Sequence, residues 1–112
     1  MSKANDVTNA VVKMLNLKGF VAWRQNNGGV YDVKLGAFRT KGKSEMRGVS
    51  DIIGYCKKTG KFMAIEVKIG KDALSVEQRM FLEDVNKAGG IGLVVKSTDD
   101  FLAQYEEILK HI

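Results

Sequence analysis

Asp51, Glu66 and Lys68 are the residues of this chain whose types and spacing best suit chemistry. Two carboxylates and an amine on one surface can hold a divalent cation beside a phosphodiester, because carboxylate oxygens bind hard cations and an amine stabilises phosphate charge. Such a site requires the three side chains to point in the same direction. That direction depends on the strands that carry them.

The three residues lie on the arms of a predicted β-hairpin, residues 51–56 and 61–68. The arms are rich in Ile, Tyr, Phe and Val, and residues 57–60 form the turn, because their final glycine accepts the positive φ of a tight reversal. Side chains alternate along a strand, so Glu66 and Lys68 share one face. The other face is predicted to bury against a helix and carries Met63, Ile65, Val67 and Ile69.

The register of the hairpin has three alternatives. If residues 57–60 form the loop, Asp51 lies opposite Glu66; if only Thr59-Gly60 turn, Asp51 lies opposite Lys68. These two registers keep the three side chains on one face, whereas a three-residue loop would turn Asp51 to the other. Directly opposed residues have Cβ atoms about 4.5–5.5 Å apart, which allows two carboxylates to share one ion.

Two facing carboxylates would destabilise a sheet unless a cation or a raised pKa offsets their repulsion. Oxygen ligands alone suit a hard ion that keeps waters, so Mg²⁺ or Mn²⁺ is the predicted cofactor. Lys68 would then orient or help deprotonate an attacking water, or stabilise charge on the phosphate. The alternative is a surface hairpin with a cross-strand ion pair of little energetic weight.

Four short motifs resemble the VRR-NUC domain (virus-type replication-repair nuclease) of the PD-(D/E)xK phosphodiesterase superfamily. They are Gly48-Val-Ser-Asp51-Ile-Ile-Gly54, Ile65-Glu66-Val67-Lys68, Leu74-Ser75-x-x-Gln78 and Ala88-Gly89-Gly90. The resemblance extends from the first helix to the strand at residues 91–95. Each motif alone is weakly specific, whereas their order and spacing together are more specific.

The resemblance implies that Asp51, Glu66 and the backbone carbonyl of Val67 hold the metal. It also implies that Lys68 is the catalytic lysine and that Gln78 lies close to the site. Members of the family cleave DNA with a metal, and small stand-alone members resemble Holliday-junction resolvases that act as homodimers.

The first helix departs from the family pattern. The family carries a glutamate there, whereas the first glutamate of this chain is Glu45. Asp6 is the nearest acid by position and a further candidate metal ligand. The alternative is that Asp6 is only an acid in the first turn of a helix, where the helix dipole favours it.

Composition limits the classes of function. A chain of 112 residues is predicted to form one domain, residues 1–112, and lacks an apolar run of membrane-spanning length or a signal peptide. Its single cysteine, Cys56, excludes an intramolecular disulfide and fits the cytoplasm. One cysteine and one histidine exclude structural zinc. The net charge of +5 is compatible with a polyanionic partner.

Basic residues before Asp51 are predicted to bind DNA phosphates beside the ion; they are Arg39, Lys41, Lys43 and Arg47. Arg24 and Lys71 are further predicted DNA contacts. Trp23 has two interpretations, stacking on a base or the commoner role of packing in the core. For the basic run, the alternative is a solvated loop with incidental charges.

The remaining periodicity predicts helices and strands around the hairpin. We expect a helix over 6–18, strands over 20–24, 31–35 and 91–95, a helix from Ser75 to about 87, and a last helix beginning at Ser97. The stripe Met80, Phe81 and Val85 is predicted to be buried. Ser75 and Gln78 form a capping box, which by itself accounts for Gln78. The order predicts an α/β fold, a restriction-endonuclease-like mixed β-sheet flanked by helices.

We therefore expect a Mg²⁺/Mn²⁺-dependent DNA endonuclease that hydrolyses phosphodiester bonds and acts as a homodimer. Two alternatives remain. One is a non-catalytic DNA-binding module that retains the nuclease fold. The other is a small α/β interaction protein with an incidental hairpin, which predicts no metal binding.

Overall fold

The computed structural model describes residues 3–25, 31–32, 37–38, 48–110 and 112 of the chain. In chain order the elements are α1 (Lys3–Leu17), β1 (Phe20–Arg24), β2 (Tyr31–Asp32), β3 (Ala37–Phe38), β4 (Ile52–Cys56), β5 (Phe62–Val67), α2 (Val76–Lys87), β6 (Ile91–Val95) and α3 (Thr98–Leu109). In this part of the chain, no helix has the length and apolar character needed to span a membrane.

The main sheet is mixed and has the strand order β1-β4-β5-β6. β1, β4 and β5 are antiparallel neighbours, whereas β6 pairs with β5 in parallel after the α2 crossover. The three helices flank this sheet, which confirms the predicted α/β nuclease-like fold. β2 pairs only with β3 in a separate two-stranded sheet, so the predicted strand over residues 31–35 is observed at Tyr31–Asp32.

The hairpin uses the four-residue turn. β4 and β5 pair with Ile52 opposite Ile65 and Tyr55 opposite Phe62. The Cys56 N–H donates to the Lys61 carbonyl over 2.9 Å and closes the turn. Extending this register by one residue places Asp51 opposite Glu66, the first of the three alternatives.

The two faces of the sheet bury different helices. Met63, Ile65 and Val67 pack in one cluster with α1 and α3, as predicted. Ile53 and Ala64 face the other way and pack with α2; their partners are Leu82 and Val85. Because side chains alternate, Asp51 and Glu66 lie on the α2 face of the sheet.

The structure shows that the expected burial of Met80 was wrong and excludes one of the two interpretations of Trp23, packing in the core. Met80 is 57% exposed, and Leu82 takes its place in the buried stripe of α2. Trp23 is 43% exposed, so this strand tryptophan is not a core residue. It lies opposite Ile53 and therefore on the α2 face of the sheet.

Asparagine side chains cover both edges of the main sheet. At the β1 edge, Asn16 donates to the Ala22 carbonyl over 2.9 Å and accepts from the Ala22 N–H over 3.2 Å. At the β6 edge, Asn86 accepts from the Gly92 N–H over 2.8 Å and donates to the Gly92 carbonyl over 3.3 Å. Each asparagine amide therefore bonds both the N–H and the carbonyl of one edge residue. A neighbouring strand would otherwise form these two hydrogen bonds.

Candidate active site

Backbone groups hold Asp51 at the entrance to β4. Its Oδ2 accepts the Val67 N–H over 2.9 Å, and its own carbonyl accepts the Gln25 N–H over 2.7 Å. Asp51 is therefore fixed from the strand on either side, β5 and β1. The Asp51 carboxylate therefore contacts the peptide group that joins Glu66 to Val67.

Glu66 is buried, with 1% of its surface exposed. Its Oε1 accepts from Gln78 Nε2 over 3.0 Å and lies 3.8 Å from Lys68 Nζ. Its Oε2 is also buried and has no hydrogen-bond partner among the described residues. A buried carboxylate oxygen is costly to leave without a partner, so this atom indicates a missing cation or proton.

The sequence predicted two competing roles for Gln78, one in the capping box and one close to the site. In the structure Gln78 makes the contacts of both. Its Oε1 accepts the Ser75 N–H over 2.9 Å, while the Ser75 hydroxyl accepts the Gln78 N–H over 3.1 Å, which completes the capping box. Its Nε2 donates to Glu66. One amide therefore ties the first turn of α2 to the carboxylate, since its oxygen and nitrogen bind different partners.

The pKa of Glu66 is raised to about 8, first by burial and then by the negative charge of Asp51. Lys68 opposes this shift by favouring the charged carboxylate. At neutral pH this raised pKa favours the protonated form of Glu66 in the metal-free protein. A cation between the two carboxylates would take the place of that proton, because positive charge favours the ionised form.

The donor set fits a hard divalent cation. Asp51 and Glu66 supply carboxylate oxygens on one face, and the buried Oε2 of Glu66 needs a partner. Residues 3–25, 31–32, 37–38, 48–110 and 112 contain no group of three or more His, Cys, Asp or Glu side chains that could hold a metal. Two carboxylates suffice for Mg²⁺ or Mn²⁺, since such ions keep several waters.

The structure does not bring Asp6 to the pair. Asp6 is exposed on α1, and α1 packs on the face of the sheet opposite Glu66. Arg24 also turns to the α1 side, where its guanidinium donates to Asn5 over 2.9 Å and to Asn9 over 3.1 Å. Asp6 therefore keeps only its role as a first-turn acid, and the DNA contact of Arg24, on the face opposite the carboxylate pair, stays a prediction.

The other predicted DNA contacts divide into two groups. Lys71 is exposed in the loop that leaves β5, four residues after Val67. The basic run before Asp51 lies outside the described residues: Arg39, Lys41, Lys43 and Arg47.

Two glycines of the Asp51 motif support the site, a role that the sequence reasoning missed. A Cβ on Gly48 would lie 2.5 Å from the Glu77 carbonyl oxygen, in the first turn of α2. A Cβ on Gly54 would lie 2.5 Å from the Val21 carbonyl oxygen. The signal was the pair of glycines flanking a candidate ligand, since glycine marks a close backbone approach.

Comparison with known proteins identifies the family of this chain. The family model described as the VRR-NUC domain matches residues 22–99, well over half of the chain. The match includes Asp51, Glu66, Lys68 and Gln78 but begins after α1, so the resemblance proposed for the first helix lies outside it. Comparisons with curated proteins and with solved structures gave no match. The chain belongs to the VRR-NUC domain family of nucleases.

Proposed function

We propose that this protein is a Mg²⁺- or Mn²⁺-dependent DNA endonuclease that hydrolyses phosphodiester bonds. The observation that carries the proposal is the buried, unpartnered Oε2 of Glu66 on the same sheet face as Asp51. An incidental surface hairpin would leave these carboxylates in water. Here Glu66 is buried beside a second acid, an arrangement that a cation stabilises.

Each residue of the site has a separate task. Asp51 and Glu66 would hold the cation, and the Val67 carbonyl would be a further ligand. A bound Mg²⁺ or Mn²⁺ supplies Lewis-acid activation of the attacking water and neutralises phosphate charge. Lys68 lies within reach of Glu66 and positions the nucleophile or stabilises the phosphate. Gln78 orients Glu66 through its amide.

Cleavage of a labelled four-way junction and of linear duplex, with Mg²⁺, Mn²⁺ or EDTA, tests the function. We expect metal-dependent cuts that Lys68→Ala slows by about 10²–10⁴-fold, the usual contribution of a positioned acid, base or charge. Lys13→Ala, on the exposed side of α1, is the matched control and should cut at the wild-type rate. Lys68→Ala cutting as fast as the control would contradict the assignment of Lys68.

Affinity for the cation should rise with pH. Because the pKa of Glu66 is about 8, a cation binding at pH 7 must displace a proton. We expect the Kd for Mn²⁺ to fall about tenfold per pH unit up to pH 8 and then to level off. Calorimetry at pH 7 in buffers of different ionisation enthalpy should show release of nearly one proton. A Kd that does not change between pH 6 and 8 would contradict this.

A non-catalytic DNA-binding module is the second candidate function. It is favoured by the lack of a third acid beside the pair among the described residues, because Asp6 lies on the opposite side of the sheet from Glu66. This module would bind DNA in EDTA and cut no substrate with either metal. The junction assay distinguishes the two functions directly.

Selectivity for branched DNA by a homodimer is the finer part of the proposal. Symmetric cuts across a junction need two active sites held at a fixed separation, which a two-fold dimer provides. Paired nicks on opposite strands of the junction, with single nicks absent, would support it. Equal cutting of junction and duplex by a monomer would contradict it.

A further inference from the structure

The α2 face of the sheet is only half covered. Helix α2 packs mainly on β5 and β6 and on β4 buries Ile53, whereas Trp23 of β1 and Tyr55 of β4 stay exposed on that face. Three aromatic side chains are exposed there to similar extents: Trp23 and Tyr55 at 43%, and Phe62 at 41%. Exposed aromatic side chains gathered beside a candidate active site indicate a binding surface.

The strand register aligns these aromatic residues with the carboxylate pair. Trp23 lies opposite Ile53, and Tyr55 lies opposite Phe62. Along β4, Ile53 with its neighbour Trp23 lies two residues from Asp51, or about 7 Å at the usual rise of a strand. The Tyr55–Phe62 pair lies four residues from Asp51, or about 14 Å. The path therefore begins at the candidate metal site and runs along the sheet toward the hairpin turn.

Charge along this path is complementary to a nucleic-acid strand. Lys57 and Lys58 are exposed in the turn at its far end. A cation held by Asp51 and Glu66 would add positive charge at the near end. A second copy of this chain carries the same net charge of +5 and would be repelled from such a surface.

We infer that this face binds unpaired nucleotides of the DNA substrate by stacking their bases on Trp23, Tyr55 and Phe62. This inference rests on the proposed function, because the unpaired nucleotides would belong to the DNA strand that enters the same active site. Base faces are hidden within a duplex but available in a single strand, and a flat sheet with aromatic side chains stacks them without sequence preference. Among branched substrates the inference therefore favours those with a single-stranded segment adjoining the cut, over a fully paired four-way junction.

Trp23 is the single tryptophan of the chain, so its fluorescence reports on this face alone. A titration in EDTA would compare a thymine oligonucleotide with a blunt duplex of equal length. We expect saturable quenching by the oligonucleotide, with a Kd at least about tenfold lower than that for the duplex. Tyr55→Ala should weaken oligonucleotide binding by about tenfold, since the loss of one base stack costs about 1.4 kcal/mol, the equivalent of that change in Kd.

Leu102→Ala is the matched control, because Leu102 is 40% exposed but lies on α3 across the sheet; its Kd should equal that of wild type. Circular dichroism establishes that each variant is folded. Quenching that is absent, or equal with duplex, would overturn the inference. Emission that depends on protein concentration without DNA would assign the face to a second copy instead. The titration uses no metal, so intact quenching in a wild-type protein that cuts no DNA substrate with Mg²⁺ or Mn²⁺ would reject the proposed function alone.

Discussion

Glu66→Gln should abolish cleavage and yet stabilise the metal-free fold at alkaline pH. Glutamine keeps an acceptor for Gln78 but removes the negative charge that binds the cation. We expect at least a loss of about a thousandfold in cleavage rate, since a catalytic cation contributes several kcal/mol to the transition state. The same change removes a buried charge beside Asp51.

The stability effect of Glu66→Gln has a defined pH window. The pKa of Glu66 is raised from 4.5 to about 8, so the folded state binds its proton more tightly than the unfolded state. The stability from this proton is fully present below pH 4.5 and is lost as pH rises to 8. The variant should therefore melt above wild type at pH 8.5 in EDTA, and the two melting temperatures should converge near pH 5.

The exposed Glu83 on α2 gives the matched control. Glu83→Gln should preserve cleavage and show no pH-dependent difference in melting temperature. Retained cleavage by Glu66→Gln would exclude Glu66 as a metal ligand. A wild-type melting curve that does not respond to pH between 5 and 8.5 would exclude a buried, protonated Glu66.

Gly48→Ala should unfold the site through the backbone. Gly48 has φ +77°, and an added Cβ would lie 2.5 Å from the Glu77 carbonyl oxygen and 2.9 Å from the Glu77 Cβ. We expect a loss of about 2–4 kcal/mol in the free energy of unfolding, from the left-handed backbone and the overpacking together. Cleavage should fall as well, because the displaced turn of α2 carries Gln78.

Gly60→Ala separates the cost of the left-handed backbone from the cost of overpacking against α2. Gly60 has φ +75°, but nothing lies within 4 Å of the position its Cβ would take. Its substitution should cost about 1 kcal/mol and leave cleavage unchanged, since only the backbone preference is lost. Urea unfolding of both variants measures the difference. Equal losses for Gly48→Ala and Gly60→Ala would show that contact with α2 is unimportant.

The sequence predicted the hairpin and the shared face of Asp51, Glu66 and Lys68 because strand alternation is a local property. It left the register open, since turn length is decided by the pairing of whole strands. Sequence periodicity likewise misjudged the rotation of α2. Gln78, Leu82 and Val85 face the sheet together, so the bond from Gln78 to Glu66 and the packing of Leu82 turn Met80 to solvent.

Asp6 and Trp23 were harder to predict because their surroundings are set by tertiary structure. Asp6 was a candidate because of its position in the first helix. Only the packing of α1 shows on which side of the sheet it lies. Trp23 reads as a core residue in a short apolar strand. It is exposed because α2 covers β5 and β6, which are far from β1 in the sheet. Helix α2 lies there because it connects these two parallel strands.

The asparagine amides at both margins of the sheet limit how this protein can assemble. At Ala22 and Gly92 the outward backbone groups are already bonded, to Asn16 and Asn86. Gln104 also binds the Val94 carbonyl over 2.9 Å. An incoming strand would have to displace these side chains before it could pair, which protects the margins from edge-to-edge aggregation. A dimer of this nuclease built by strand pairing at these margins would first have to break these hydrogen bonds, which favours assembly through other surfaces.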